Sequence, residues 1–208
     1  DLATALARFR ALPEVASADP IALFREWQAE ASAAGAILPE AMTLGTADGA
    51  GRPSARTVLL KGVDERGFVF FTNYESRKGR QLAENPHAAL TFLWHMEPRR
   101  QVLVTGTVER VPRAESEAYF TTRDVGSRLG AWASRQSSPL GSRADLERAF
   151  AEAESRFGND VPLPDWWGGY VLAPEAIEFW ESRPNRLHER VRYSRGDDGS
   201  WRSTLLSP

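Results

Sequence analysis

From Ala41 onward the chain is cut into short apolar runs by turn-forming residues, and that rhythm admits few folds. The runs Met42 to Thr46, Ala55 to Val63 and Phe68 to Thr72 are separated by DGAGRP and DERG, which reads as three antiparallel strands joined by tight turns. After a short helical segment at Ser76 to Glu84, the runs Ala88 to Trp94 and Gln101 to Val111 extend this to a five-strand meander. Strand-like runs return at Gly168 to Leu172, Ala176 to Trp180, Leu187 to Ser194 and Trp201 to Leu205. Helical segments are expected at Ala114 to Thr121, at Arg143 to Phe157, and at Pro20 to Ala34 behind Asp19 as N-cap. Many short strands with a few inserted helices predict a mainly β (α+β) chain, its antiparallel sheet curling toward a barrel because closure removes exposed edges.

Composition narrows the function. At 208 residues, with 42% apolar and 26% charged side chains, a single domain spanning residues 1–208 with a sizeable core is expected, residues 1–18 forming a mobile N-terminal arm. A net charge of −2 argues against a nucleic-acid partner, so anion recognition must be local and the target small. Cysteine is absent, which removes disulfides, thiolate metal sites and a cysteine nucleophile. His87, His95 and His188 have no metal-ligand spacing, so no metal is expected. No signal-type or membrane-length apolar run occurs, so a cytoplasmic protein without a membrane partner is expected.

Among 26 basic residues only Lys61 and Lys78 are lysines, and each lies in a segment with ligand-site character. In SRKGRQ, Ser76 is a helix N-cap and Arg77 with Lys78 fills the first turn, where cations oppose the helix dipole. An exposed basic turn explains this, and so does a bound phosphate that takes the N–H groups of the helix end. RTVLLK brackets an apolar strand with Arg56 and Lys61, which face opposite sides by strand parity and reach one ligand only through a bulge, a strand end or long side chains. Gln101 falls on the polar face of its strand, opposite Val102, Val104 and Val108; its amide suits a heterocycle or simply water. Tyr119, Arg123 and Ser127 recur at four-residue steps as a candidate phosphate cup, although Gly126 argues against one uninterrupted helix. In RLHER, Arg186, His188 and Arg190 alternate, so on a strand all three project from one face. Trp180 reads as core or as an aromatic wall near them.

In order and spacing, RTVLLK, FTN, SRKGRQ, RQV, YFTTR with Ser127, GAWASRQSS, PLPDWWGGY, EFW and RLHER resemble the pyridoxamine 5'-phosphate oxidase family, from about Pro20 to the C-terminus. The resemblance implies an FMN-binding split β-barrel with peripheral helices, assembled as a homodimer with two flavin sites across the subunit interface. It implies FMN contacts from Arg56, Thr57, Val58, Leu59, Leu60 and Lys61, from Phe71, Thr72, Arg77 and Lys78, and from Gln101, Gln136, Ser137, Trp180 and Arg190. Substrate binding falls to Lys61, Tyr119, Arg123, Ser127, Arg186 and His188, with Arg186 and His188 as the catalytic pair. The implied reaction converts pyridoxamine or pyridoxine 5'-phosphate to pyridoxal 5'-phosphate with O2 as acceptor. A same-fold oxidase of another ring system, of the phenazine-biosynthesis type, and a non-catalytic flavin or pyridoxal phosphate binder are the rivals. Phe71 stands where some members carry tyrosine, and the ending Leu205, Leu206, Ser207, Pro208 lacks a terminal arginine of the family pattern.

Overall fold

A computed structural model describes residues 19–208; the expected arm at residues 1–18 lies outside the described residues. Helix α1 (Pro20–Ala33) precedes β1 (Ala41–Ala47), β2 (Pro53–Leu59), β3 (Gly62–Asp64) and β4 (Gly67–Asn73). Then come α2 (Arg77–Glu84), β5 (His87–Trp94), β6 (Arg100–Arg110), α3 (Arg113–Thr122), α4 (Val125–Ala133) and α5 (Arg143–Phe157). Strand β7 (Trp167–Glu181), a 3-10 turn at Pro184–Arg186, β8 (Glu189–Arg195) and β9 (Trp201–Leu205) complete the described residues. Among these, no helix is long and apolar enough to cross a membrane.

All strand pairs are antiparallel, in the order β2-β1-β5-β6-β7-β4-β3. The sheet curls into a half-barrel because β7 is shared. Along one edge it pairs with β6, while the other edge carries β4 over Trp167 to Leu172 and β8 over Ala176 to Glu181. The expected meander is therefore corrected, since β4 pairs with β3 and β7 and not with β2 or β5. The cause is legible in β4 itself: Phe68, Val69 and Phe70 are all buried, and a run covered on both faces belongs inside a sheet and not at its margin.

Three other expectations change. The run Ala55 to Val63 is broken at Leu60 and Lys61, where the N–H of Leu60 bonds to Glu40 and that of Lys61 to Val69. The two runs around Pro174 are one strand: Pro174 pairs with Gly106, and the register shift between Thr105 and Gly106 leaves Glu175 as the extra residue. Gly106 is required there: a Cβ at that position would lie 2.0 Å from the Ala173 carbonyl oxygen. Helix α4 adds to the expected helical segments; Asp124 caps it by accepting from the Ser127 N–H at 2.7 Å.

Two apolar cores flank the space that matters. In the larger, Phe24 of α1 meets Phe68, Phe92 and Trp94 with ring centroids 4.9, 4.8 and 6.0 Å away. The smaller gathers Phe120, Leu129, Ala153, Val161, Leu163 and Trp167 under α3, α4 and α5. Ser142, which caps α5 by accepting from the Asp145 N–H at 3.2 Å, lies outside both. Ser142→Ala is expected to cost about 1 kcal/mol of stability, read as a lower urea midpoint.

Candidate active site

A cleft of about 870 Å³ opens between the β2/β4 part of the sheet and the α3/α4 corner. Four features build it. The first is the N-terminal end of α2. Ser76 caps this helix by accepting from the Gly79 N–H at 3.3 Å, and Gly79 is needed because a Cβ would lie 2.0 Å from the Tyr74 carbonyl oxygen. The buried Lys78 ammonium then turns inward and donates to Gln136 Oε1 at 2.7 Å, Thr72 Oγ1 at 3.0 Å and Ser76 Oγ at 3.3 Å.

The second feature is Arg56 on β2. Its guanidinium donates to the Leu44 carbonyl at 3.1 Å, Thr46 Oγ1 at 2.6 Å, Ser54 Oγ, and Gln81 Oε1 at 3.4 Å. Gln81 is the hub: its Oε1 also accepts from the Thr46 and Ser54 hydroxyls at 2.6 and 2.7 Å. Every acceptor around Arg56 and Lys78 in these bonds is neutral, so the two cations keep their charge for something else. Burial, and after it the Arg56 charge, pulls the Lys78 ammonium from its ordinary 10.5 down to about 8. Burial, and after it Arg77, holds Arg56 below the usual guanidinium value. Like charges held this close with neutral surroundings call for an anion.

The third feature is the corner between α3 and α4. Tyr119, Arg123 and Ser127 all line the cleft, but not from one helical face: Tyr119 is on α3, Arg123 caps its C-terminal end and Ser127 is on α4. Arg123 lies over Trp167, 4.7 Å from the ring centroid, and its buried Nη1 has no hydrogen-bond partner among the described residues. Burial lowers its pKa against the opposing pull of Tyr119 and Asp124. The fourth feature is aromatic: Phe71 stacks on Tyr119 at 4.0 Å and 17°, and Trp167 continues the stack 5.7 Å from Phe71.

This arrangement has close relatives. Residues 30–157 match the family model "Pyridoxamine 5'-phosphate oxidase", and residues 167–208 match "Pyridoxine 5'-phosphate oxidase C-terminal dimerisation region". The chain is 57% identical over 194 residues to the pyridoxine/pyridoxamine 5'-phosphate oxidase of Rubrobacter xylanophilus, covering 93% of this chain and 88% of that one. It is 55% identical over 201 residues to pyridoxine/pyridoxamine 5'-phosphate oxidase 1 of Ralstonia nicotianae, covering 96% and 94%. The chain belongs to the pyridoxamine 5'-phosphate oxidase family. Its fold also matches PhzG from Burkholderia lata, solved with tetrahydrophenazine-1-carboxylic acid, at a TM-score of 0.89 and 34% identity over 94% of this chain and 95% of that one.

The positions that family resemblance singles out fall into two sets. Arg56, Thr57, Val58, Leu59, Lys61, Phe71, Thr72, Arg77, Lys78, Tyr119, Arg123, Ser127, Gln136 and Ser137 line the cleft. Arg56 and Lys61 both line the cleft although their strand parity is opposite, because β2 ends at Leu59 before Lys61. Leu60 does not line the cleft and is buried in the larger apolar core. Gln101, Trp180, Arg186, His188 and Arg190 do not line the cleft. Gln101, Trp180 and Arg190 are instead register neighbours across β6, β7 and β8, and so share one face of the sheet. Trp180 is half-buried, not core, with its ring 4.6 Å from that of His188. Arg190 is held by Glu178 at 2.7 Å and by the Ser207 carbonyl at 3.0 Å.

The alternating-face reading of RLHER is corrected. Pro184 opens a 3-10 turn, Asn185 and Arg186 take φ of 58° and 62°, and β8 starts only at Glu189. Of the three residues, only Arg190 stands on a strand. Sequence reasoning missed Gln81 and Trp167 as site residues. Trp167 lies in the PLPDWWGGY segment, but nothing local marks Gln81 as the acceptor that braces Arg56.

Proposed function

We propose that this chain is an FMN-dependent oxidase that converts pyridoxamine or pyridoxine 5'-phosphate to pyridoxal 5'-phosphate, with O2 as acceptor. The supporting observation is one cleft with two separate cationic cradles. Arg56, Arg77 and Lys78 form one; Arg123 with Tyr119, Ser127 and Lys61 forms the other. None of these cations is in a salt bridge among the described residues. Two phosphate groups on two ligands would answer these two groups of cations.

The residues present fit a flavin mononucleotide. Arg77 and Lys78 would hold its phosphate at the α2 N-terminus, where helix N–H groups add to the charge. Strand β2 pairs only with β1 among the described residues, and an edge strand offers backbone N–H and C=O groups to a heterocycle's polar rim. When bound, FMN would supply the redox chemistry, accepting hydride equivalents from the substrate C4' carbon and returning the two electrons to O2 as H2O2. With water the amine yields aldehyde and NH3, and the alcohol yields the aldehyde directly.

The protein supplies position and charge. Tyr119, Arg123, Ser127 and Lys61 grip the substrate phosphate. Gln101, Trp180 and Arg190, with Arg186 and His188, would complete the cleft of a second copy of the chain. The match of residues 167–208 to a dimerisation region supports this, since it contains four of those five positions. In that homodimer Arg186 orients the substrate ring, and His188 assists binding or proton movement.

The deciding experiment compares peroxide release from pyridoxine 5'-phosphate and from unphosphorylated pyridoxine by FMN-saturated protein. A preference of at least about 100-fold in kcat/KM for the phosphate ester is expected. Absence of turnover with both would defeat the proposal, and equal turnover would favour chemistry of the phenazine type.

A further inference from the structure

The turn between β7 and β8 carries Arg186 and His188, and it holds the one consecutive pair of positive-φ non-glycine residues among the described residues. Asn185 and Arg186 are consecutive non-glycine residues in the left-handed region, with φ of 58° and 62°. Such a pair persists only where its surroundings over-determine it. Those surroundings centre on Arg183, whose side chain is 9% exposed. Its Nη2 bridges Glu181 Oε1 at 2.8 Å and Glu189 Oε2 at 2.9 Å, and its Nε donates to Glu189 Oε1 at 3.0 Å. Glu181 ends β7, Glu189 begins β8, and the two are register partners. One guanidinium therefore ties both strand ends at the mouth of the turn.

The tie continues in two directions. Buried Glu181 also accepts from Arg100 Nε at 2.7 Å, and Arg100 lies over Trp27 of α1, 4.4 Å from the ring centroid. On the turn side, the main-chain N–H of Arg183 donates to His188 Nδ1 at 3.2 Å. A ring nitrogen that accepts carries no proton, so neutral His188 holds its proton on Nε2.

We infer that Arg183 is a positioning residue: clamped between Glu181 and Glu189, it holds the Pro184–Leu187 turn in the conformation that presents Arg186 and fixes His188 as an Nε2–H donor. This rests on the reading of Arg186 and His188 as substrate-facing groups. A plain hairpin staple would leave the tautomer and the substrate kinetics alone.

The test uses FMN-saturated protein labelled with 15N-histidine, where three histidines give few signals and His188→Asn identifies the relevant one. In the wild-type protein, neutral His188 is expected to show a pyridine-like Nδ1 and a protonated Nε2. Arg183→Met is expected to mix the tautomers and lower kcat/KM by at least about tenfold, with the FMN dissociation constant within about threefold of wild type. Glu189→Gln, which replaces the more exposed partner and keeps an acceptor, is expected to lower kcat/KM by about threefold. If Arg183→Met does not fold, Glu189→Gln and the wild-type spectrum decide. A proton on Nδ1 in the wild type, or unchanged kcat/KM and tautomer in the folded variants, would overturn the inference. Failure of the oxidase reading looks different: the wild type would turn over neither phosphate ester, and the tautomer alone would then decide the role of Arg183.

Discussion

Replacing Lys78 by methionine is expected to weaken FMN binding by roughly 10- to 150-fold, because a charge-assisted hydrogen bond is worth about 1.5–3 kcal/mol and each 1.4 kcal/mol is about tenfold. The ligand-free protein should not suffer. Lys78 is buried among neutral acceptors beside Arg56, so its charge is a liability until an anion arrives, and Met keeps most of its volume. The expected pattern is an unchanged or higher melting temperature without ligand and a smaller rise on adding FMN. The pH dependence follows from the same depression to about 8. Between about pH 8 and the ordinary lysine value the unfolded chain binds the proton that the folded chain has lost, so ligand-free stability rises with pH across that window. Flavin affinity moves the other way, falling as pH rises above about 8, because the phosphate needs the charged ammonium. The Lys78 contribution to both slopes should vanish in Lys78→Met. An FMN dissociation constant equal to wild type, measured by fluorescence quenching at neutral pH, would remove Lys78 from the cradle.

Arg123→Leu is expected to lower kcat/KM for pyridoxine 5'-phosphate by about 100-fold while leaving the slow turnover of unphosphorylated pyridoxine within about threefold of wild type. The reasoning is local. Arg123 has a buried Nη1 without a partner among the described residues and rests on the Trp167 face, so it is poised for an acceptor that the chain itself does not supply. Leucine keeps the apolar contact with Trp167 and Phe120, and the substitution removes an incompletely bonded buried cation, so stability should hold. Parallel losses on both substrates in peroxide-release assays would show instead that Arg123 only shapes the corner.

How much of this was legible in the chain depends on range. The Ser76 cap and the two cations after it are a local signal, and the structure places them as the spacing predicts. The kink that seats Tyr119, Arg123 and Ser127 was half visible: Gly126 pointed to an interruption, but the Asp124 cap that restarts the helix went unread. The row of Gln101, Trp180 and Arg190 depends on pairings between strands far apart in sequence and on the bulge at Gly106, and no local pattern encodes a register. RLHER misled because alternation is a strand signal only where a partner strand reaches. Pairing with β7 stops at Glu189, and the turn that begins at Pro184 takes Arg186 and His188 out of the strand. Family resemblance supplied those residues; periodicity put them in the wrong conformation.

A crystal structure of the protein with FMN and pyridoxal 5'-phosphate bound tests the central claim most directly. The flavin phosphate should lie against Arg77 and Lys78, and the ester phosphate against Arg123, Tyr119 and Ser127. Trp180, Arg186, His188 and Arg190 of a second subunit should close over the two rings. Phosphates bound elsewhere, or a cleft completed by residues of one chain alone, would contradict it.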